Sequence, residues 1–216
     1  MKLSSVGEFG LIGRLAAVLG PGEGDSLLLG IGDDAAVWRP TAECLTVATA
    51  DSLVEGVHFD LATTSWIDLG WKALAENLSD IAAMGCRPRY ALIGLGLPAE
   101  TELDQVEALY AGLRECGAAF GCRVVGGDTA RCPQVVIHVS VLGESTPAWG
   151  DDQPILTRST ARPGDLVAVT GPLGASAAGL RLLQEQATIE LEDEVLVLSH
   201  RRPQPRIDAG LRLIEA

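Results

Sequence analysis

Lysine is nearly missing from this chain. Lys2 and Lys72 are the only two among 16 cationic residues, against 29 aspartates and glutamates, and the formal net charge is -13. That balance argues against any partner held by a broad phosphate-neutralising surface, so neither nucleic acid nor an anionic membrane is expected. A site for an anionic substrate must then rely on arginine, backbone amides or bound metal. Cysteine is sparse too: Cys44, Cys86, Cys116, Cys122 and Cys132 are odd in number, never spaced as Cys-x-x-Cys, and have no histidine at finger spacing. They read as reduced thiols of a cytoplasmic protein. The first eight residues lack the apolar core of a signal peptide, and no apolar run approaches the ~18 residues of a membrane span. The pattern Gly-x-x-x-x-Gly-Lys-Ser/Thr is also absent, which excludes an ordinary P-loop.

What is present is enough for a substantial core: 216 residues, 47% of them hydrophobic, or one large domain to one and a half. Residues 45–50 predict a buried strand. A helix over 66–84 follows, opened by the box Ser65-x-x-Asp68 and closed by Gly85. Residues 89–97 predict a second strand, and Thr101-x-x-Asp104 a second helix, with Leu103, Val106, Tyr110, Leu113, Gly117 and Phe120 on its apolar stripe. Phe120 completes that stripe and is expected to pack in the core. Strands over 122–126 and 134–142 are expected to be joined by a turn containing Gly126-Gly127-Asp128-Thr129. This order predicts an α/β or α+β domain with one helical layer on a sheet. From Glu144 to Pro163 the apolar rhythm lapses, and a second unit follows: a strand over 164–170, a glycine turn over 171–176, a helix over 176–185 and another from Pro205. The expected division is 1–146 and 147–216. A single strand makes no sheet, so the second unit is expected to be the start of an incomplete α/β domain.

Aspartates at the ends of apolar segments carry the chemical signal. Asp33 and Asp34 follow a glycine turn, Asp51 ends a strand, Asp128 follows two glycines, and Asp80 lies in a helix. On a helical wheel of ~100° per residue Asp80 falls with Asn77 on the side of Leu69, Ala73 and Met84, so its carboxylate is expected to face the packed side. Five carboxylates without a nearby lysine suit hard cations shared with phosphates. A phosphoryl-transfer site and a two-metal phosphohydrolase fit equally at this point. Gly30-x-Gly32-x-x-Ala35 matches a dinucleotide fingerprint in form, but Asp33 and Asp34 would repel a pyrophosphate there. The turn over 171–176 could hold phosphate on its amides or simply join strand to helix.

Taken in order, Gly30-Ile-Gly-Asp-Asp-Ala-Ala-Val37, Asp51-Ser-Leu-Val-Glu-Gly-Val-His-Phe59, Lys72-Ala-Leu-Ala-Glu-Asn-Leu-Ser-Asp-Ile-Ala-Ala-Met-Gly85 and Gly126-Gly-Asp-Thr129 closely resemble the thiamine-monophosphate kinase family. Leu156-Thr-Arg-Ser159, Arg162-Pro-Gly-Asp165 and Gly171-x-x-Gly174 continue the match. The resemblance implies the fold of aminoimidazole ribonucleotide synthetase, with N-terminal domains paired in a homodimer that carries nucleotide near the subunit interface. It implies ATP- and magnesium-dependent phosphorylation of thiamine monophosphate to thiamine diphosphate. By the same resemblance Asp34, Asp51, Asp80 and Asp128 would hold several magnesium ions, with Asp33 and Thr49 beside them. Gly127, Asp128 and Arg158 would contact ATP, and His58 the thiamine phosphate. No protein side chain would act as acid, base or nucleophile: transfer would be direct and in line. The alternatives are another ATP-dependent member of the superfamily, or a non-catalytic nucleotide- and metal-binding dimerisation module.

Overall fold

Alternation is clearest in the strand at 136–144, where Ile137, Val139 and Val141 are fully buried while His138, Ser140 and Leu142 are not. A period of two with one apolar face is what a sheet covered on one side requires. The computed structural model of the chain describes residues 2–3, 6–20, 26–147 and 155–214. Its elements are α1 (Glu8–Leu19), β1 (Leu27–Leu29), β2 (Val37–Trp38), β3 (Thr46–Val54), α2 (Trp66–Ala83), β4 (Arg87–Leu97), α3 (Leu103–Phe120), β5 (Arg123–Arg131), β6 (Val136–Glu144), α4 (Ala175–Gln184), α5 (Glu194–Arg201) and α6 (Ile207–Ile214).

Strands β3, β6, β4 and β5 form one sheet in that order. Only β4 and β5 run parallel, and α3 is the crossover that joins them. Helices α2 and α3 cover one face, and a two-stranded hairpin of β1 and β2 stands apart from the main sheet. Ring contact between Trp38 and Tyr90 (5.2 Å), with a 2.7 Å hydrogen bond between the Ser26 and Tyr90 hydroxyls, fastens that hairpin to β4.

Ser65 caps α2 as the sequence predicts, accepting from the Asp68 amide at 3.2 Å. Helix α3 starts one residue later than expected. Its box is Glu102 with Gln105, whose side chain accepts the Glu102 amide hydrogen at 3.0 Å, while Thr101 is buried beneath it. Residues 126–129 form no turn: β5 runs straight through them, because pairing with β4 continues residue by residue from Gly126 to Arg131. The chain reverses after that point, before β6. Helices α1 and α5 and the short strands β1 and β2 had no counterpart in the sequence reading. Phe120 packs edge-on to Trp71 (6.0 Å), as its place on the stripe suggests.

No strand forms over 164–170. Leu166 and Val167 are each 98% exposed, since among the described residues no neighbouring strand offers the ladder of hydrogen bonds that an isolated apolar segment needs. Later residues nevertheless dock firmly on α2. Trp71 Nε1 donates to the Pro203 carbonyl (2.9 Å), and the Arg202 guanidinium lies over the Trp71 ring while bonding Asp68 and Glu115. Arg202→Met keeps the stem but leaves two half-buried carboxylates without their counter-charge. Its side chain is partly solvated, so the expected loss is about 2 kcal/mol of unfolding free energy, read as a lower urea midpoint with an unchanged slope.

All five cysteines are free thiols. Burial pushes Cys116 up to about 12 and Cys122 higher still, which leaves these two as inert core residues.

Candidate active site

Edge strand β3 sets the frame. Leu53 points into the core, and strand alternation puts Asp51 and Thr49 on the same, helix-covered face, whereas Ala50 and Ser52 face the opposite, uncovered side. Helix α2 passes this edge in its last two turns. There the Thr49 hydroxyl donates to Asp80 Oδ2 at 2.8 Å. Asp80 is exposed, which corrects the expectation that it faces the packed side. The wheel is right for Asn77, which is fully buried, but α2 has reached the rim of the sheet by residue 80, so the same azimuth meets water.

Two residues that the sequence reading did not assign join the site. Lys72, Glu76 and Asp80 repeat every four residues, so they share a stripe of α2. Lys72 is 9% exposed, and its Nζ lies 3.9 Å from Glu76 Oε1. Burial pushes the Glu76 carboxyl up, with Asp51 adding to the rise and Lys72 and His58 pulling it down. Glu76 therefore sits among Asp51, His58 and Lys72. The i, i+4, i+8 spacing was the signal that could have found both.

His58 stands on the turn after β3. The His58 and Val57 amides both donate to the Val54 carbonyl, Gly56 takes a φ of +77°, and Phe59 is buried as the anchor. Val54 N–H donates to His58 Nδ1 at 3.1 Å. With Nδ1 occupied as an acceptor, the neutral ring carries its proton on Nε2 and presents that donor outward. His58 is exposed, so it is not a core histidine.

The other predicted residues lie apart from this group. Asp33 and Asp34 are exposed beyond β1, bonded to each other through the Asp34 amide (2.9 Å). Asp128 is exposed on β5, the opposite edge strand. Register runs Asp51, Val139, Ile93, Gly127 across the sheet, so Asp128, one residue on, faces the uncovered side. Three strand steps separate Asp51 from it, roughly 14 Å of backbone. Gly127 must be glycine, since a Cβ there would come within 2.0 Å of the Ile93 carbonyl oxygen. Arg158 is exposed in the turn at 157–160.

Among the described residues, no three histidines, cysteines, aspartates or glutamates converge on a metal-sized point. The donors nevertheless fit magnesium in kind. Thr49, Asp51, Asp80, Asp34 and Asp128 offer only oxygen, and among the described residues none of these aspartates forms an ion pair with lysine or arginine. Exposed aspartates without an ion-pair partner among the described residues thus lie on both edge strands of one sheet.

This layout, a helix-backed four-stranded sheet with exposed aspartates on both of its edge strands, defines an α/β domain of mixed strand direction. Residues 32–145 match the family described as "AIR synthase related protein, N-terminal domain", and the chain belongs to that family. Within it, the chain is similar to proteins named thiamine-monophosphate kinase. The one from Synechococcus elongatus is 39% identical over 208 residues, 96% of this chain and 60% of that protein, and the one from Bacillus subtilis is 38% identical over 189 residues, 86% and 57% respectively. The crystal structure of thiamine-monophosphate kinase from Stenotrophomonas maltophilia K279a aligns with a TM-score of 0.81 at 42% identity, covering 97% of this chain and 65% of that one. AaThiL complexed with AMPPCP and TMP aligns at 0.74 and 36%, covering 100% and 65%. The chain thus spans about 60% of the length of the relatives it matches. The hydrogenase maturation protein HypE shares the fold, at 22% identity and a TM-score of 0.59. No helix is long and apolar enough to cross a membrane among the described residues.

Proposed function

We propose that the chain carries out ATP- and magnesium-dependent phosphorylation of thiamine monophosphate to thiamine diphosphate in the cytoplasm. The observation that carries this reading is the contact between Thr49 and Asp80, with Asp51 two residues along the same strand face: oxygen donors on a rigid strand and helix, free of protein counter-charge. Thr49, Asp51 and Asp80, with Asp33, Asp34 and Asp128, would hold the magnesium ions. Bound there, magnesium would offset the phosphate charges and polarise the transferred phosphoryl group.

The chain's own residues do the rest. Asp51 and Asp80 fix the metal site against β3. His58 presents its Nε2 donor to the acceptor phosphate, and Gly127, Asp128 and Arg158 receive ATP. The acceptor is a phosphate monoester with a second pKa near 6, largely anionic at neutral pH, so no general base is needed and transfer is direct.

The aspartates on opposite edges fit a homodimer. Both β3 and β5 are edge strands, and β6 and β4 hold Asp51 and Asp128 apart within one chain. In this reading a second copy brings its own edge to the first and completes the site. Residues 1–146 form the nucleotide, metal and dimerisation unit, and 147–216 begin the second domain.

The test is product analysis. The chain with ATP, magnesium and thiamine monophosphate is expected to form thiamine diphosphate and ADP in equal amounts, and none with aminoimidazole or selenium acceptors. Magnesium-dependent ATP binding without turnover would reduce the reading to a nucleotide-binding module, and phosphate release without an acceptor would point to a hydrolase.

A further inference from the structure

Where β3 leaves the sheet, a side chain stands in for main chain. The register that pairs Val54 with Val136 brings Glu55 opposite Val135, and the Glu55 amide donates to the Val135 carbonyl at 3.0 Å. In an ordinary antiparallel pair of this kind the two residues exchange both bonds, so the Val135 amide would return to the Glu55 carbonyl. It goes to the Glu55 carboxylate instead, 3.1 Å from Oε2. Val135 is buried, and a buried amide takes its acceptor from the protein.

This exchange releases residue 55 from the ladder, and the chain turns off at once. Gly56 takes a φ of +77° and donates its amide to the Phe59 carbonyl (2.8 Å), which returns His58 to the end of β3. Alternate amides of an edge strand point away from the sheet. Because Glu55 bonds inward to β6, the Val54 amide points outward, and His58 Nδ1 accepts it at 3.1 Å. Two side chains of the same turn thus hold one main-chain amide on each side of the strand end, Glu55 toward β6 and His58 along the free edge.

We propose that Glu55 is a positioning residue for the acceptor phosphate: by holding the Val135 amide it fixes where β3 departs from the sheet, and so fixes His58 with its Nε2 donor outward. Resting on the kinase reading, this gives Glu55 no contact with substrate or metal. Its reach matters and its charge does not.

Reach and charge are separable by substitution. Glu55→Gln loses the charge, but its carbonyl oxygen still reaches the Val135 amide. Glu55→Asp keeps the charge on a side chain one methylene shorter, so the Val135 amide turns to the main-chain carbonyl of residue 55, the ladder closes by one more bond, and His58 is carried off Val54. Exchange of the Val54 amide hydrogen, followed by NMR, is expected to quicken roughly tenfold in Glu55→Asp and to match wild type in Glu55→Gln. Steady-state assays are expected to give a KM for thiamine monophosphate about tenfold higher in Glu55→Asp, with kcat and the KM for ATP within about twofold of wild type, and no change in Glu55→Gln. The reverse order, Glu55→Asp intact and Glu55→Gln impaired, would make Glu55 a charge in the metal or phosphate field and overturns the proposal. So does unchanged Val54 exchange in Glu55→Asp, or a loss spread over kcat and both KM values, the mark of a general structural defect. Should Glu55→Asp fail to fold, Glu55→Met, equally long but without an acceptor, takes its place in every comparison. If wild-type protein forms no thiamine diphosphate, the kinase reading fails, and Val54 exchange in the three proteins still decides whether Glu55 holds the turn.

Discussion

Asp80→Asn is expected to lower the rate of thiamine diphosphate formation by roughly 1000-fold while leaving the fold intact. The asparagine keeps the shape of the side chain, and its carbonyl oxygen can still accept the Thr49 hydroxyl, so the 2.8 Å contact that ties α2 to β3 survives. What disappears is the negative charge. Because Asp80 is exposed and has no lysine or arginine partner among the described residues, removing that charge leaves no buried cation unpaired, and the unfolding free energy is expected to change by less than about 0.5 kcal/mol. Thr49→Val removes the hydroxyl instead, and a loss of about tenfold is expected, since the carboxylate then lacks its orienting donor. Steady-state rates at saturating magnesium, with circular dichroism on the same samples, check both. An Asp80→Asn protein of near wild-type activity would move the metal site elsewhere on the domain.

Gly112→Val is expected to cost more than about 4 kcal/mol, enough to leave little folded protein at 37 °C. Helices α2 and α3 touch backbone to backbone at a reciprocal pair: a Cβ on Gly112 would lie 1.9 Å from the Ile67 carbonyl oxygen, and one on Gly70 would lie 1.9 Å from that of Leu109. Neither obstacle is the flexible end of a side chain. To admit three extra carbons the helices must separate, which unpacks Leu69, Leu74, Leu109 and Leu113, all fully buried. Chemical denaturation of the variant against wild type checks this. A shift below about 1 kcal/mol would mean that the crossing is looser than the structure has it.

Elements whose cause is local were legible in the sequence. Ser65 caps α2 with its own side chain, and α3 announces itself by an apolar stripe three and four residues apart. Residues 126–129 misled, because two glycines before an aspartate are turn chemistry by themselves. Only the neighbouring β4 backbone, pressed against Gly127, shows why glycine is needed in a strand. Asp80 misled for a similar reason: a wheel gives azimuth but not where along its length a helix leaves the sheet. Lys72 and Glu76 were visible as a spacing, yet nothing in the sequence says that α5 folds back along the start of α2. Strand 164–170 was a reading of apolar composition alone, and composition cannot supply a neighbouring strand.

The glycine crossing of α2 and α3 also limits motion. A helix seated backbone to backbone at Gly70 and Gly112 cannot roll about its long axis, and α6 adds a second such seat where Gly210 meets the Ala82 carbonyl. Lys72, Glu76 and Asp80 lie between the two seats, so their backbone positions are fixed relative to one another. Any adjustment along that stripe is then left to side-chain rotation.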